Sequence, residues 1–300
     1  MTISFGVNTG FALNRYTTPE QWVPIVGDLN LDTVQITADI LNPFWPDDIL
    51  WNVVDRTKRL LNEYHITNVH LFTGAFTRVN HFSHPDHTMR QYWLKWFKRF
   101  IDVGAKLNAI SVGSHLGILT SPDNDNPNIR EERLDTTIDY WHKLSKYAIS
   151  KSIQYLTWEP MSVSREYGET INSAKDIQSK FKITNGVPIY CCLDVDHGDV
   201  SSTNAMDTDP YAWIKHLGAQ SPLIHIKQSS KDKGGHWPFI DPYNKNGKIE
   251  PRKILSAIDE WGFKDTILLL ELSFREREPF DRQVISSLEG SVNYWKPFLK

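Results

Sequence analysis

Three hundred residues, 40% of them hydrophobic and 12% aromatic, can bury a full core, which excludes a disordered chain and leaves one large domain or two ordinary ones. A net charge of −3 and a pI near 6.4 argue against a nucleic-acid surface, which carries a basic stripe. Cys191 and Cys192 are adjacent in an apolar run, so they read as small core residues in a reducing cytosol, neither a disulfide framework nor a thiolate metal site. The chain enters a strand at once, with no basic leader and no long apolar span, so a soluble cytoplasmic protein with no membrane partner is expected.

In chain order, Ile3–Val7 is a short strand ending at Asn8-Thr9-Gly10, and Pro19 opens a helix through about Leu29. Thr33–Thr37 is the second strand, and Pro46-Asp47-Asp48 leads a helix whose apolar residues, from Ile49 to Tyr64, follow helical spacing. The third strand, Asn68–Phe72, runs into a long loop carrying Asn80, His81 and His84. A Trp-rich helix, Thr88–Val103, should bury Trp93, Trp96, Phe97, Phe100 and Ile101 on one face, and an exposed part of it could support a homodimer. Ala109–Val112 is the fourth strand, followed by Gly113-Ser-His-Leu-Gly117, a loop rich in Pro, Asn and Asp, and a helix from about Arg130 to Ser150.

Gln154–Trp158 is the fifth strand, with a helix near Gly168–Phe181, and the sixth spans Val187 to Leu193. Pro210–Leu217 is a short helix, Leu223–Ile226 the seventh strand, and Pro251–Trp261 a helix after the long loop Gln228–Gly247. Thr266–Leu270 is the eighth strand, with a last helix inside Pro279–Lys300. Regular alternation of strand and helix forces parallel pairing through right-handed crossovers, and eight units close most naturally into a single α/β TIM barrel, (β/α)8, over residues 1–300. An open doubly wound sheet is the alternative, but no Gly-x-Gly-x-x-Gly follows the first strand. Most of the 11 Trp should serve packing, with one or two lining a pocket for a polar ligand.

Chemistry gathers at the ends of the last four strands, which end in Glu159, Asp194, His225 and Glu271. Alone, each such residue is more often a loop salt bridge or a satisfied rim residue. In a barrel, though, consecutive strand ends lie side by side at the C-terminal rim, where active sites sit. Three carboxylates brought together repel unless a cation joins them. Oxygen ligands with one imidazole suit a single divalent ion, Mn²⁺ first, with Mg²⁺ or Co²⁺ as alternatives.

These residues resemble the xylose-isomerase-like barrels of sugar isomerases and ketose 3-epimerases. Leu156-Thr-Trp-Glu159 is similar to the strand of the family's first metal ligand, and Leu193-Asp194 with His197 to its second ligand and substrate-binding histidine. His225 and Glu271 match the third and fourth ligands. The resemblance implies an isomerase acting on a small sugar or sugar phosphate, with Glu159 and Glu271 also serving as the acid/base pair. Proton abstraction beside a carbonyl would then give an enediolate, by epimerisation or by aldose–ketose isomerisation.

Epimerases of free hexuloses carry a substrate-binding Glu where this chain has Arg165, and an Arg where it has Lys231. Added cations suggest an anionic substrate, with Arg165, Lys227, Lys231, Arg275 and Arg277 as candidates. The segments Arg78–Pro85, Gly113–Gly117 (with His115 as a further substrate contact) and Glu271–Glu278 also resemble the tetrulose-phosphate epimerases associated with erythritol catabolism. Two rivals share the barrel. An apurinic-endonuclease-like phosphodiesterase would need more His and carboxylate ligands and a basic surface. A non-catalytic sugar-binding barrel would tolerate loss of ligands that are all present here.

Overall fold

Eight parallel strands close on themselves in sequence order, β1 pairing with both β2 and β8. They are β1 (Thr2–Asn8), β2 (Thr33–Thr37), β3 (Asn68–Phe72), β4 (Ser111–His115), β5 (Tyr155–Glu159), β6 (Ile189–Asp194), β7 (Leu223–Ile226) and β8 (Asp265–Leu270). The helices are α1 (Pro19–Asp28), α2 (Asp47–Glu63), α3 (His87–Lys106), the short α4 (Ser121–Asp125), α5 (Pro127–Ile149), α6 (Ile171–Lys180), α7 (Pro210–Leu217), α8 (Pro251–Trp261) and α9 (Val284–Trp295). This computed structural model describes residues 2–182, 185–230 and 234–299. The fold is the expected (β/α)8 barrel. Among the described residues, no helix is long and apolar enough to cross a membrane.

Local chemistry accounts for the helix starts. Pro19 follows Thr18, whose amide donates to Gln21 Oε1 at 3.2 Å, and Asn126 Oδ1 accepts from the amides of Asn128 and Ile129 ahead of α5. Several boundaries differ from expectation for identifiable reasons. Strand β4 begins at Ser111, because the Ala109 amide is spent on the Gly104 carbonyl at the end of α3, and it extends to His115. Strand β6 begins after Pro188, which has no N–H to donate to a ladder. Helix α6 starts at Ile171, since Tyr167 and Gly168 both have positive φ. The loop expected at Ser121–Asn128 contains α4, capped by Thr120.

The apolar outer faces of the strands pack against the helices. Trp96, Phe97, Phe100 and Ile101 of α3 are buried as expected, whereas Trp93 is half-buried against the same core. Trp93 and Trp96 also make ring contacts with His81 and Phe97. Inside the barrel, Phe72, Cys192, Leu223 and Leu269 form a small apolar plug. Cys191 and Cys192 are both buried and unbridged. The polar site stands on this plug.

Candidate active site

Glu159, Asp194, His225 and Glu271 each offer a ligand atom, and these atoms lie within 4.8 Å of one another. The strand ladder places them: β5 ends at Glu159, Asp194 and His225 are paired in the β6–β7 register, and Glu271 follows β8. The His225 Nδ1 atom is 3.0 Å from Glu159 Oε1 and 3.6 Å from Glu271 Oε1. Among the described residues this is the one such cluster able to hold an ion. Its donors are hard oxygens with one imidazole nitrogen, a set that fits a divalent cation of the Mg²⁺ or Mn²⁺ kind.

The tautomer of His225 follows from a chain of hydrogen bonds. The Gly10 amide can only donate, and it donates to Asn8 Oδ1 at 2.8 Å. Asn8 therefore turns its Nδ2 to Gln35 Oε1, at 2.7 Å. The same Gln35 oxygen lies 2.8 Å from His225 Nε2, which must then carry the hydrogen. The lone pair of Nδ1 is left facing the carboxylates, as a metal ligand requires. Two acceptors cannot face one another unaided, so a proton or a cation must sit between them. Burial opposes the imidazolium, but the neighbouring Cys192 sulfur, with the Glu271 and Glu159 carboxylates, holds His225 well above its ordinary value. Cys192, 3.4 Å from Nε2, stays a neutral thiol because burial pushes it up to about 11.

Lys227 is the fixed countercharge. Its side chain is fully buried, its ammonium donates to Asp194 Oδ2, and it reaches Glu271 Oε2 at 3.2 Å. Burial opposes the charges on Asp194 and Glu271, yet the groups around them, His197 and Lys227 for Asp194 and His225 and Lys227 for Glu271, hold both carboxyls below the usual range. With His225 neutral, as a ligand must be, three carboxylates and the Lys227 ammonium leave two negative charges, which a divalent cation would balance. His236, from the loop after β7, closes the arrangement: its Nε2 lies 3.1 Å from Lys227 Nζ and its Nδ1 3.3 Å from the Glu271 carbonyl. That loop is stapled by the Gln228 amide, which accepts from the Ile249 amide at 3.1 Å and donates to the Ile249 carbonyl at 3.2 Å.

A cavity of about 210 Å³ opens over the cluster. Glu159, Glu271, His197, His236, His115 and Arg78 all line it. His197 gives its Nδ1 hydrogen to the Pro160 carbonyl at 2.9 Å and places Nε2 3.4 Å from Asp194 Oδ2. The turn behind it needs Gly198, at φ +121°, because a Cβ there would meet the Asp207 carbonyl oxygen at 1.7 Å. His115 ends β4 opposite Glu159 in register, and its Nδ1 accepts from the Gly117 amide at 3.1 Å.

Other residues singled out in the sequence lie elsewhere. Lys227, expected at the substrate, is sealed beneath the ligands, because strand alternation carries it inward with His225. Arg165 is exposed and donates to the Leu119 carbonyl at 2.8 Å, outside the cavity. Lys231 lies outside the described residues. Arg275 lines a neighbouring cavity of about 360 Å³, and Arg277 lines neither. No tryptophan lines the catalytic cavity; Trp237 lines the neighbouring one. Asn8, Gln35 and His236 were not singled out. Gln35 carried a signal, an amide in the middle of a strand whose neighbours are fully buried.

A closed parallel barrel with an anionic, single-imidazole cluster at its C-terminal mouth is the architecture of a barrel enzyme, with a cluster that could hold a divalent ion. The model of the xylose isomerase-like TIM barrel family matches residues 23–289. The chain belongs to that family. It is 40% identical to D-erythrulose 1-phosphate 3-epimerase of Brucella abortus, over all of this chain and 97% of that protein. A putative xylose isomerase of Rhodospirillum rubrum superposes with a TM-score of 0.89 at 24% identity, covering 98% of this chain and 99% of that one. D-psicose 3-epimerase of Clostridium cellulolyticum superposes with a TM-score of 0.72 at 13% identity, covering 99% of each chain. The chain is an isomerase, a sugar epimerase of this family.

Proposed function

We propose that this protein is a metal-dependent ketose-phosphate 3-epimerase interconverting D-erythrulose 1-phosphate and its C3 epimer. One observation carries the chemistry: of the four clustered side chains, Glu159 and Glu271 line the cavity, 7% and 22% exposed, whereas those of Asp194 and His225 are 0% exposed. Two residues thus anchor and two face the substrate. The full-length relative supports the choice of sugar.

The C3 proton of a 2-ketose is weakly acidic. A divalent ion held by the cluster, Mn²⁺ by donor type with Mg²⁺ or Co²⁺ as alternatives, would supply Lewis-acid polarisation of the carbonyl. One of Glu159 and Glu271 takes the C3 proton, giving the enediolate, and the other returns a proton to the opposite face. Buried His225 and Lys227 hold Glu271 below the usual carboxylate range. His197, with Nδ1 committed to Pro160, is placed to hold a substrate hydroxyl through Nε2.

The test is turnover of D-erythrulose 1-phosphate by Mn²⁺-loaded protein in D₂O, read by NMR. Deuterium should appear at C3 of both epimers, and Glu159→Gln and Glu271→Gln should each lose roughly 10²–10⁴-fold in turnover. An aldose product would instead mean isomerisation. Near-normal exchange in both variants would remove these glutamates from the proton path.

A further inference from the structure

Among the described residues that line the catalytic cavity, Arg78 is the one arginine or lysine. Its guanidinium is clamped from behind: Nε donates to Glu166 Oε1 at 2.7 Å, and Nη2 donates to Glu166 Oε2. Glu166 is 3% exposed while the Arg78 side chain is 46% exposed, so the carboxylate sits beneath and the guanidinium stands out. A guanidinium carries five N–H groups in a fixed plane. The clamp uses two, and three remain. Such an oriented fork suits the oxygens of a phosphate better than a free lysine does.

The same cavity holds a second donor without a partner. His115 is 3% exposed, and its Nδ1 is occupied as an acceptor by the Gly117 amide. In the neutral ring the hydrogen must then be on Nε2, a buried atom with no well-formed hydrogen bond among the described residues, the Thr77 backbone being the further polar neighbour of the ring. Burial outweighs the opposing Glu166 carboxylate and, with Arg78, lowers His115 to about 4, so the ring stays neutral. Buried donors are rarely left unpaired, which points to a ligand acceptor. Asp39, which shares this wall, is taken up by the Phe76 amide and the Thr77 hydroxyl. Of the cations read from the sequence, Lys227 is sealed and Arg165 lies outside the cavity, while Lys231 lies outside the described residues.

On the ketose-phosphate reading given above, we infer that Arg78, braced by Glu166, binds the substrate phosphate and that His115 Nε2–H contributes a second hydrogen bond to the same substrate. Arg78 is then the residue that separates a phosphorylated ketose from the free sugar. The phosphate lies on the side of the cavity made by the loops after β3 and β4, away from the buried Lys227.

The probes are inorganic phosphate, titrated calorimetrically into Mn²⁺-loaded protein, and the ratio of kcat/KM for erythrulose 1-phosphate to that for erythrulose. In Arg78→Met the ratio should fall about ten- to a hundredfold, the usual worth of a charge-assisted hydrogen bond, and phosphate binding should be lost. Arg78→Lys should fall between, keeping the charge but not the fork. Glu166→Gln keeps the cation but loosens the clamp that orients it, so its ratio should also fall, by less than in Arg78→Met. Should Arg78→Met not fold, Arg78→Lys and Glu166→Gln decide the matter. Equal losses on both sugars in all variants would overturn the inference and make Arg78–Glu166 a loop clamp only, as would undiminished phosphate binding in Arg78→Met. No turnover of any tetrulose with Arg78-dependent phosphate binding intact would overturn the functional reading and leave the anion site standing.

Discussion

The relay Gly10–Asn8–Gln35–His225 makes a specific demand on Asn8. In Asn8→Asp the side chain has no hydrogen to give, so the Gln35 amide must turn its nitrogen toward Asp. That nitrogen then also faces His225 Nε2, now 2.8 Å from an oxygen, and the hydrogen of the ring moves to Nδ1. A protonated Nδ1 is well paired with Glu159, 3.0 Å away, but cannot ligate a metal. Loss of such a supporting contact typically costs 10- to 100-fold in metal affinity, or roughly 1.4–2.7 kcal/mol. Gln35→Glu keeps an acceptor at the same place and should bind metal as well as the parent or better. Gln35→Leu strands two buried donors and should fall with Asn8→Asp. Titration calorimetry with Mn²⁺ gives the affinities, and ¹⁵N spectra of the Mg²⁺-loaded protein report which ring nitrogen of His225 is protonated. Unchanged affinity in Asn8→Asp, with the hydrogen still on Nε2, would refute the relay.

Two further outcomes follow from buried charge. Lys227→Met removes the countercharge between Asp194 and Glu271; breaking such a buried pair costs about 3–5 kcal/mol, so the metal-free protein should melt lower, and Mn²⁺ should raise its melting temperature more than it raises that of the parent. Burial pushes His70 down to about 3 and His115 down to about 4, from an ordinary 6.5. Both are neutral in the fold and charge on unfolding, so their stabilising effect is complete above pH 6.5 and is lost as pH falls toward the folded values. Between pH 7 and 5 the loss should be about 2 kcal/mol for each, read by urea unfolding of metal-free protein, and His70→Asn should reduce the pH dependence by about 2 kcal/mol.

Much of this protein is legible in its sequence because the barrel repeats one local rule. Apolar runs of four to six residues, each followed by amphipathic spacing, can only be parallel strands under helices, and β7, α7 and α8 fall where those patterns put them. The four clustered side chains were legible for the same reason: each lies at or beside the end of a strand, and closure of the barrel makes consecutive strand ends neighbours. Even the inward turn of Lys227 is implied by alternation from His225. Side-chain pairings across the barrel are another matter. Gln35 meets His225 across 190 positions, and Arg78 meets Glu166 across 88. Nothing local marks such partners, since loop conformation and strand register bring them together. Which nitrogen of His225 carries its hydrogen, which lysine is buried, and which arginine lines the cavity were decided only when the tertiary structure matched each donor to an acceptor.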